Sequence, residues 1–204
     1  MSPTKADDTI VILAFGDSLT AGYGLKPGEA FPDRLQAALR ARGHKVEVVN
    51  AGVSGDTTAA GLARLDWSTP GNADAVILEL GANDALRGLD PAEAKRNLEK
   101  MIEAFREKGL EILLAGMKAP PNFGREYGET FDAIYPALAE KHGVLLYPFF
   151  LDATMTRAGM SLPDGLHPSA RGVEAVAQAI LPKVEELIAR TRAAKAAAPG
   201  ARTQ

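Results

Sequence analysis

No cysteine occurs in the 204 residues. That excludes disulfides, thiolate metal sites and a cysteine nucleophile, and it leaves the redox compartment open. Aromatic residues are scarce, at 6% with Trp67 the single tryptophan, so no aromatic platform for carbohydrate is visible. No apolar run approaches the roughly 18 residues that cross a bilayer. The longest, 144–150, is interrupted by Pro148. There is no excess of positive charge either. A net charge of -3 gives no electrostatic reason to expect nucleic acid, whose binders carry basic patches. The first eight residues hold no apolar stretch of the signal-peptide kind. On that ground the chain reads as cytoplasmic, or as periplasmic or secreted if a signal peptide has been removed from it.

What is present is ordinary in amount and ordered in pattern. The chain is 46% hydrophobic and 24% charged, and long enough for one domain with a substantial core. Apolar runs of strand length alternate with stretches of helical period, which predicts a parallel sheet with helices on both faces. Strands are expected over 10–15, 46–50, 75–80, 112–117 and 144–147. Helices are expected over 29–42, from Asp56 or Thr57 to Leu65, and from Asp90 to Lys108. A further helix over 131–141 must kink or restart at Pro136. Pro168 should open the last helix and Pro182 should bend it. The expectation is a single domain over 9–192, with flexible tails at 1–8 and 193–204. The fold class is α/β, a three-layer α/β/α sandwich on a five-stranded parallel sheet of flavodoxin-like order 2-1-3-4-5.

The first strand ends abruptly in Gly16-Asp17-Ser18. In an open α/β sheet ligands bind beyond the carboxyl ends of the strands, where a serine on a tight turn projects its hydroxyl into the crevice. The plain alternative is a turn, since all three residues favour one. His44 and His142 both stand where a helix ends before the next strand, and a structural role fits both. His167 differs: Pro168 disfavours the α region at His167, and Asp164 lies three residues before it. A turn there can bring the carboxylate to Nδ1–H and leave Nε2 free to take a proton from a hydroxyl. Equally, Asp164-Gly165 can be a simple turn and His167 a cap. Asn83 follows strand three, where its amide suits a developing oxyanion but also suits a turn or cap. Gly52 follows strand two, where its N–H is unobstructed by a side chain, although a turn glycine reads the same. With strands two, one and three adjacent, Gly52, Ser18 and Asn83 converge on one crevice. Four independent turns that assemble one acyl-transfer site are an improbable accident.

The blocks Gly16-Asp17-Ser18-Leu19, Gly52, Gly81-x-Asn83-Asp84 and Asp164-x-x-His167 resemble the SGNH (GDSL) hydrolase family in order and spacing. The segments 49–57, 61–65 and 79–88 are similar to its bacterial thioesterase I, lysophospholipase L1 and arylesterase group, and the likeness spans about 10–190. The resemblance implies a Ser18–His167–Asp164 triad. It also implies an oxyanion hole built from the N–H of Ser18, the N–H of Gly52 and the Asn83 side chain. Members of that group are commonly exported, which the start of this chain does not reflect. Thr20 stands where the G-x-S-x-G elbow of α/β-hydrolases needs glycine, so Ser18 belongs to the looser GDSL turn.

The expected activity is hydrolysis of short or medium acyl esters, aryl esters and thioesters, with acyl-CoA and lysophospholipid among the candidate substrates. It needs no metal and no organic cofactor. The expected partner is a small ester or thioester, with no nucleic acid and no integral membrane segment; the sequence sets no oligomeric state. Substrate contacts are expected from Asp17 beside the nucleophile, and from Leu86, Lys118, Pro120, Phe123 and Met160 in the surrounding loops. A carbohydrate acetylesterase on the same fold is the competing enzyme. A nucleotide- or flavin-binding module is the competing class, and it fails on specifics. There is no G-x-x-x-x-G-K-[ST], Gly22-Tyr23-Gly24 does not extend to G-x-G-x-x-G, and strand two closes on Asn50 rather than an acid.

Overall fold

The computed structural model describes residues 8–155 and 157–197. Five parallel strands, β1 (Ile10–Gly16), β2 (Val46–Gly52), β3 (Ala75–Glu79), β4 (Glu111–Ala115) and β5 (Leu145–Tyr147), form one sheet of order β2-β1-β3-β4-β5. The helices are α1 (Ser18–Ala21), α2 (Phe31–Ala41), α3 (Thr58–Ser68), α4 (Ala82–Leu86), α5 (Pro91–Glu107), α6 (Arg125–Asp132), α7 (Ile134–His142) and α8 (Ala170–Ala197). Helix α2 packs on α8 in one layer; α5 packs on α3 and α7 in the other. The three-layer α/β/α fold and the strand order are those the sequence predicts. Because β1 and β3 are covered on both faces, their side chains form continuous apolar runs. Ile12, Leu13, Phe15, Val76 and Leu78 are all fully or almost fully buried.

Register does the work of aligning the strand ends. Gly16 pairs with Gly52 on one side and with Glu79 on the other. The loops that leave β1, β2 and β3 therefore start at one level, on one edge of the sheet.

Three expectations are corrected. The stretch 118–128, where no helix is expected, contains a short 3₁₀ turn, Pro121–Phe123, and then α6, which starts at Arg125. The break expected at Pro136 falls instead at Ala133, between α6 and α7. Pro136 then lies in the first turn of α7, where its missing N–H has no intrahelical partner to lose. The last helix begins at Ala170, not Pro168, and continues through Pro182 to Ala197. The part of the expected tail within 193–197 is thus helical. Alanine-rich sequence favours helix there, and Lys195 Nζ reaches Asp74 Oδ1 at 2.9 Å. Residues 1–7 and 198–204 of the expected tails lie outside the described residues. Among the described residues, no helix is long and apolar enough to cross a membrane.

Candidate active site

Ser18 is the first residue of α1, and Asp17 caps it. Asp17 Oδ1 accepts the Leu19 N–H at 2.9 Å, and Gly22, at φ 85, closes the helix after one turn. No acceptor for the Ser18 N–H is found among the described residues. The imidazole of His167 stands over the hydroxyl, with Nε2 2.9 Å from Ser18 Oγ. Its Nδ1 lies 2.7 Å from Asp164 Oδ2. Asp164 Oδ1 accepts the backbone N–H groups of Leu166 at 2.9 Å and His167 at 3.0 Å. Those two N–H bonds, and the imidazole after them, hold the Asp164 carboxyl down at about 2. The short spacing of Asp164 and His167 works because Gly165 takes φ 71, so the turn folds the carboxylate back onto the ring of the residue it precedes by three. Tyr23 packs its ring 4.5 Å from the imidazole, centroid to centroid.

Asn83 is the second residue of α4. That helix is preceded by Gly81 as its N-cap, whose φ of 119 and closeness to Tyr135 leave no room for a side chain; a Cβ would stand 2.1 Å from the phenol oxygen. Asn83 Nδ2 donates to the Asp56 carbonyl at 2.9 Å and to Asp17 Oδ2 at 3.2 Å. The amide is thus slung between the loops that follow β1 and β2.

The structure differs from expectation at Gly52. Its N–H is taken by Asn50 Oδ1 at 2.9 Å, and a Cβ on it would lie 2.2 Å from the Ala21 nitrogen. The missing side chain lets the end of β2 pack against α1; it does not open the N–H to a ligand. Gly55, three residues on, has the free donor. It takes φ 88 with open space where a Cβ would be, and its N–H has no acceptor among the described residues. Arg87 Nη2 holds the Gly55 carbonyl at 3.1 Å, and the next residue, Asp56, carries the carbonyl that orients Asn83.

Two buried residues that the sequence reading passed over brace this arrangement. Arg64 of α3 donates from Nε to Asp56 Oδ2 at 2.6 Å and from Nη2 to the Gly16 carbonyl at 2.9 Å, with its guanidinium 4.1 Å from the Phe15 ring centroid. Glu79 ends β3 fully buried. Glu79 carried a signal, a lone charge in an otherwise apolar strand; Arg64 carried none, because a charge on a helix reads as outward-facing. Gly55 carried the same signal as Gly52, a glycine in the turn after β2.

The expected substrate residues fare unevenly. Asp17 is fully buried and spends its carboxylate on Leu19 and Asn83, so it is a support and not a contact for substrate. Leu86 is exposed on the helix that carries Asn83, and exposed Phe123 packs over Gly88 just beyond it. Pro120 leads into the 3₁₀ turn, and Lys118 Nζ lies 5.3 Å from the Phe149 ring. Met160 faces the start of α8 with its carbonyl, which accepts the Ser169 N–H at 2.8 Å. Both other histidines are structural pairs: His44 Nε2 meets Glu185 at 3.1 Å and His142 Nε2 meets Glu99 at 2.7 Å. Among the described residues, Glu99, Glu103 and His142 have metal-ligand spacing. Glu99 there already bonds Lys141 at 2.7 Å, and the group lies on α5 and α7, apart from the serine.

Comparison with known proteins identifies the family. The GDSL-like lipase/acylhydrolase family model matches residues 14–175. An arylesterase of Vibrio mimicus is 44% identical over 161 residues, covering 77% of this chain and 79% of the relative. Thioesterase 1/protease 1/lysophospholipase L1 of Escherichia coli is 36% identical over 184 residues, covering 90% and 86%. The crystal structure of AlinE4, an SGNH-hydrolase family esterase, superposes with a TM-score of 0.75 at 50% identity, covering 89% of this chain and 98% of the other. The chain belongs to the GDSL-like lipase/acylhydrolase family.

Proposed function

We propose that this chain is a serine hydrolase that cleaves carboxylic esters and thioesters through an acyl-enzyme on Ser18. The observation that carries the reading is the unbroken chain of hydrogen bonds from Ser18 Oγ through His167 to Asp164, at 2.9 and 2.7 Å. Ser18 Oγ attacks the acyl carbon as His167 Nε2 takes its proton, and Asp164 stabilises the imidazolium. The tetrahedral oxyanion collapses, the carbon–oxygen or carbon–sulfur bond breaks, and His167 returns the proton to the leaving alcohol, phenol or thiol. Water then repeats the sequence on the acyl-enzyme and releases the acid.

Three donors surround the developing oxyanion: the N–H of Ser18, the N–H of Gly55 and the amide of Asn83. Each such donor contributes about 3 to 4 kcal/mol to the transition state. Asn83 holds the Asp56 carbonyl at 2.9 Å with one N–H and Asp17 at 3.2 Å with the other, and the second, longer bond is the one exchanged for the oxyanion. The substrate class follows from the relatives, named as an arylesterase and as a thioesterase and lysophospholipase. The exposed apolar groups Tyr23, Leu86, Phe123 and Leu166 offer an open surface for acyl and aryl groups.

The test is covalent. A fluorophosphonate should label Ser18 in the wild-type chain and leave Ser18→Ala unlabelled, and p-nitrophenyl esters of graded length should be turned over only by the former. Labelling that persists in Ser18→Ala, or no turnover of any ester, would count against the reading.

A further inference from the structure

Beneath the nucleophile turn lies a carboxyl group that the hydrolytic steps leave unused. Glu79 closes β3, pairs in register with Gly16, and is fully buried. Its Oε2 accepts the hydroxyl of Thr20 at 2.8 Å and, more loosely, the N–H of Asp17 at 3.4 Å; its Oε1 has no hydrogen-bond partner among the described residues. Thr20 is also fully buried. A Cβ on Gly16 would stand 2.5 Å from Glu79 Oε2 and 2.2 Å from Thr20 Oγ1. The two side chains therefore fill the space that a side chain on Gly16 would need, directly under the turn that presents Ser18.

Among the described residues, no cation bonds to the Glu79 carboxyl. The two donors are uncharged, and Asp17 next door is itself acidic. Burial first, and then the Asp17 charge, push the Glu79 carboxyl well above the usual range. A buried acid with an unpartnered oxygen is a poor way to fill a core, where an apolar side chain of similar size would pack without loss. The position calls for an acceptor, and the groups that use it belong to the nucleophile turn.

We propose that Glu79 is a positioning residue: a buried wedge that fixes the Gly16–Asp17–Ser18 turn through the Thr20 hydroxyl and the Asp17 N–H, and so sets the aim of the Ser18 hydroxyl and N–H. The inference rests on Ser18 as nucleophile. Small displacements of a reacting group suffice to matter, since about 1 Å can cost on the order of a hundredfold in rate.

The experiment compares Glu79→Gln, Glu79→Leu and Thr20→Val for kcat and KM on a p-nitrophenyl ester and for the rate of Ser18 phosphonylation. Glu79→Gln keeps an acceptor of the same reach and should hold kcat within about threefold. Glu79→Leu keeps volume but loses the acceptor. Its kcat should fall roughly 10- to 100-fold with KM nearly unchanged, and phosphonylation should slow in parallel. If Glu79→Leu does not fold, Thr20→Val decides, with a smaller fall in kcat expected at constant KM. A Leu variant with wild-type kcat, a Gln variant as impaired as Leu, or an unaffected Thr20→Val would overturn the inference. No adduct on wild-type Ser18 would overturn the hydrolytic reading itself, a result distinct from any of these.

Discussion

At the scale of single residues, the site depends on acids whose environments pull them in opposite directions. Asp164 receives two backbone N–H bonds and an imidazole, and at about 2 it stays ionised at any working pH. It therefore contributes no acid limb to the activity. Asp17 is buried, and desolvation outweighs the Leu19 N–H bond and the His167 charge, so its carboxyl is raised from 3.8 to about 6. The sign for stability follows. Between about 4 and about 6 the folded chain holds a proton that the unfolded chain has lost, so stability falls as pH rises through that window. Above about 6 the cost of an ionised, buried Asp17 is present in full. Asp17→Asn cannot titrate and should flatten this slope. Thermal melts from pH 4 to pH 7 would read it directly, and parallel curves for the two proteins would refute the assignment. The same variant should lose activity, because its amide would point a donor at the Asn83 amide where the carboxylate now accepts.

At the scale of elements, α3 ties the strand ends together. Arg64 reaches the Gly16 carbonyl at the end of β1 and the Asp56 carboxylate after β2, and the Asp56 carbonyl in turn holds Asn83 after β3. Both members of the Arg64–Asp56 pair are largely shielded from water, with side-chain exposures of 6% and 11%. Arg64→Met should cost about 3 to 5 kcal/mol, because Asp56 would be left charged and unpaired in a buried place. Urea unfolding would measure it, and a loss under about 1 kcal/mol would mean that the pair is no more than a surface contact. The same helix marks where the sequence stops being legible. Strand and helix order could be read because periodicity and turn chemistry are local. Ser18, Asn83, Asp164 and His167 could be found because each follows a recognisable strand end or turn. Arg64 could not, since helical patterning sends a charge outward and only the tertiary contact turns it inward. Nor could the choice between Gly52 and Gly55, which depends on whether the Asn50 side chain folds back onto one N–H. Helix α6 was hidden by Pro120, Pro121 and Gly124, which read as loop although they only precede the helix.

At the scale of the whole molecule, the catalytic groups arrive by two routes of different stiffness. Ser18 and Asn83 ride on the ends of central strands within the buried sheet, while His167 and Asp164 come from the largely exposed turns that precede α8. That segment is held by bonds across its own turn and by Ser169, just before the helix. Ser161 bridges Pro168, the Leu162 N–H donates to the His167 carbonyl at 2.7 Å, and the Ser169 N–H and Oγ each bond a carbonyl of the segment at 2.8 Å. Gly172 in the first turn of α8 is the closest approach: a Cβ there would stand 2.0 Å from the Met160 carbonyl oxygen and 3.1 Å from Pro168 Cβ. The helix cannot yield easily, because Val173, Val176, Ile180 and Val184 are buried along its length and Lys195 anchors its far end to Asp74. The added methyl must therefore move the 160–168 segment, and His167 with it. Gly172→Ala should lower kcat by roughly tenfold or more, since His167 Nε2 would leave its 2.9 Å contact with Ser18 Oγ. Its melting temperature should change little, because the sheet and the α2–α8 packing are untouched and alanine favours helix over glycine. A wild-type kcat in Gly172→Ala would mean that the histidine segment adjusts independently of α8; a large fall in melting temperature would mean that the segment is part of the core.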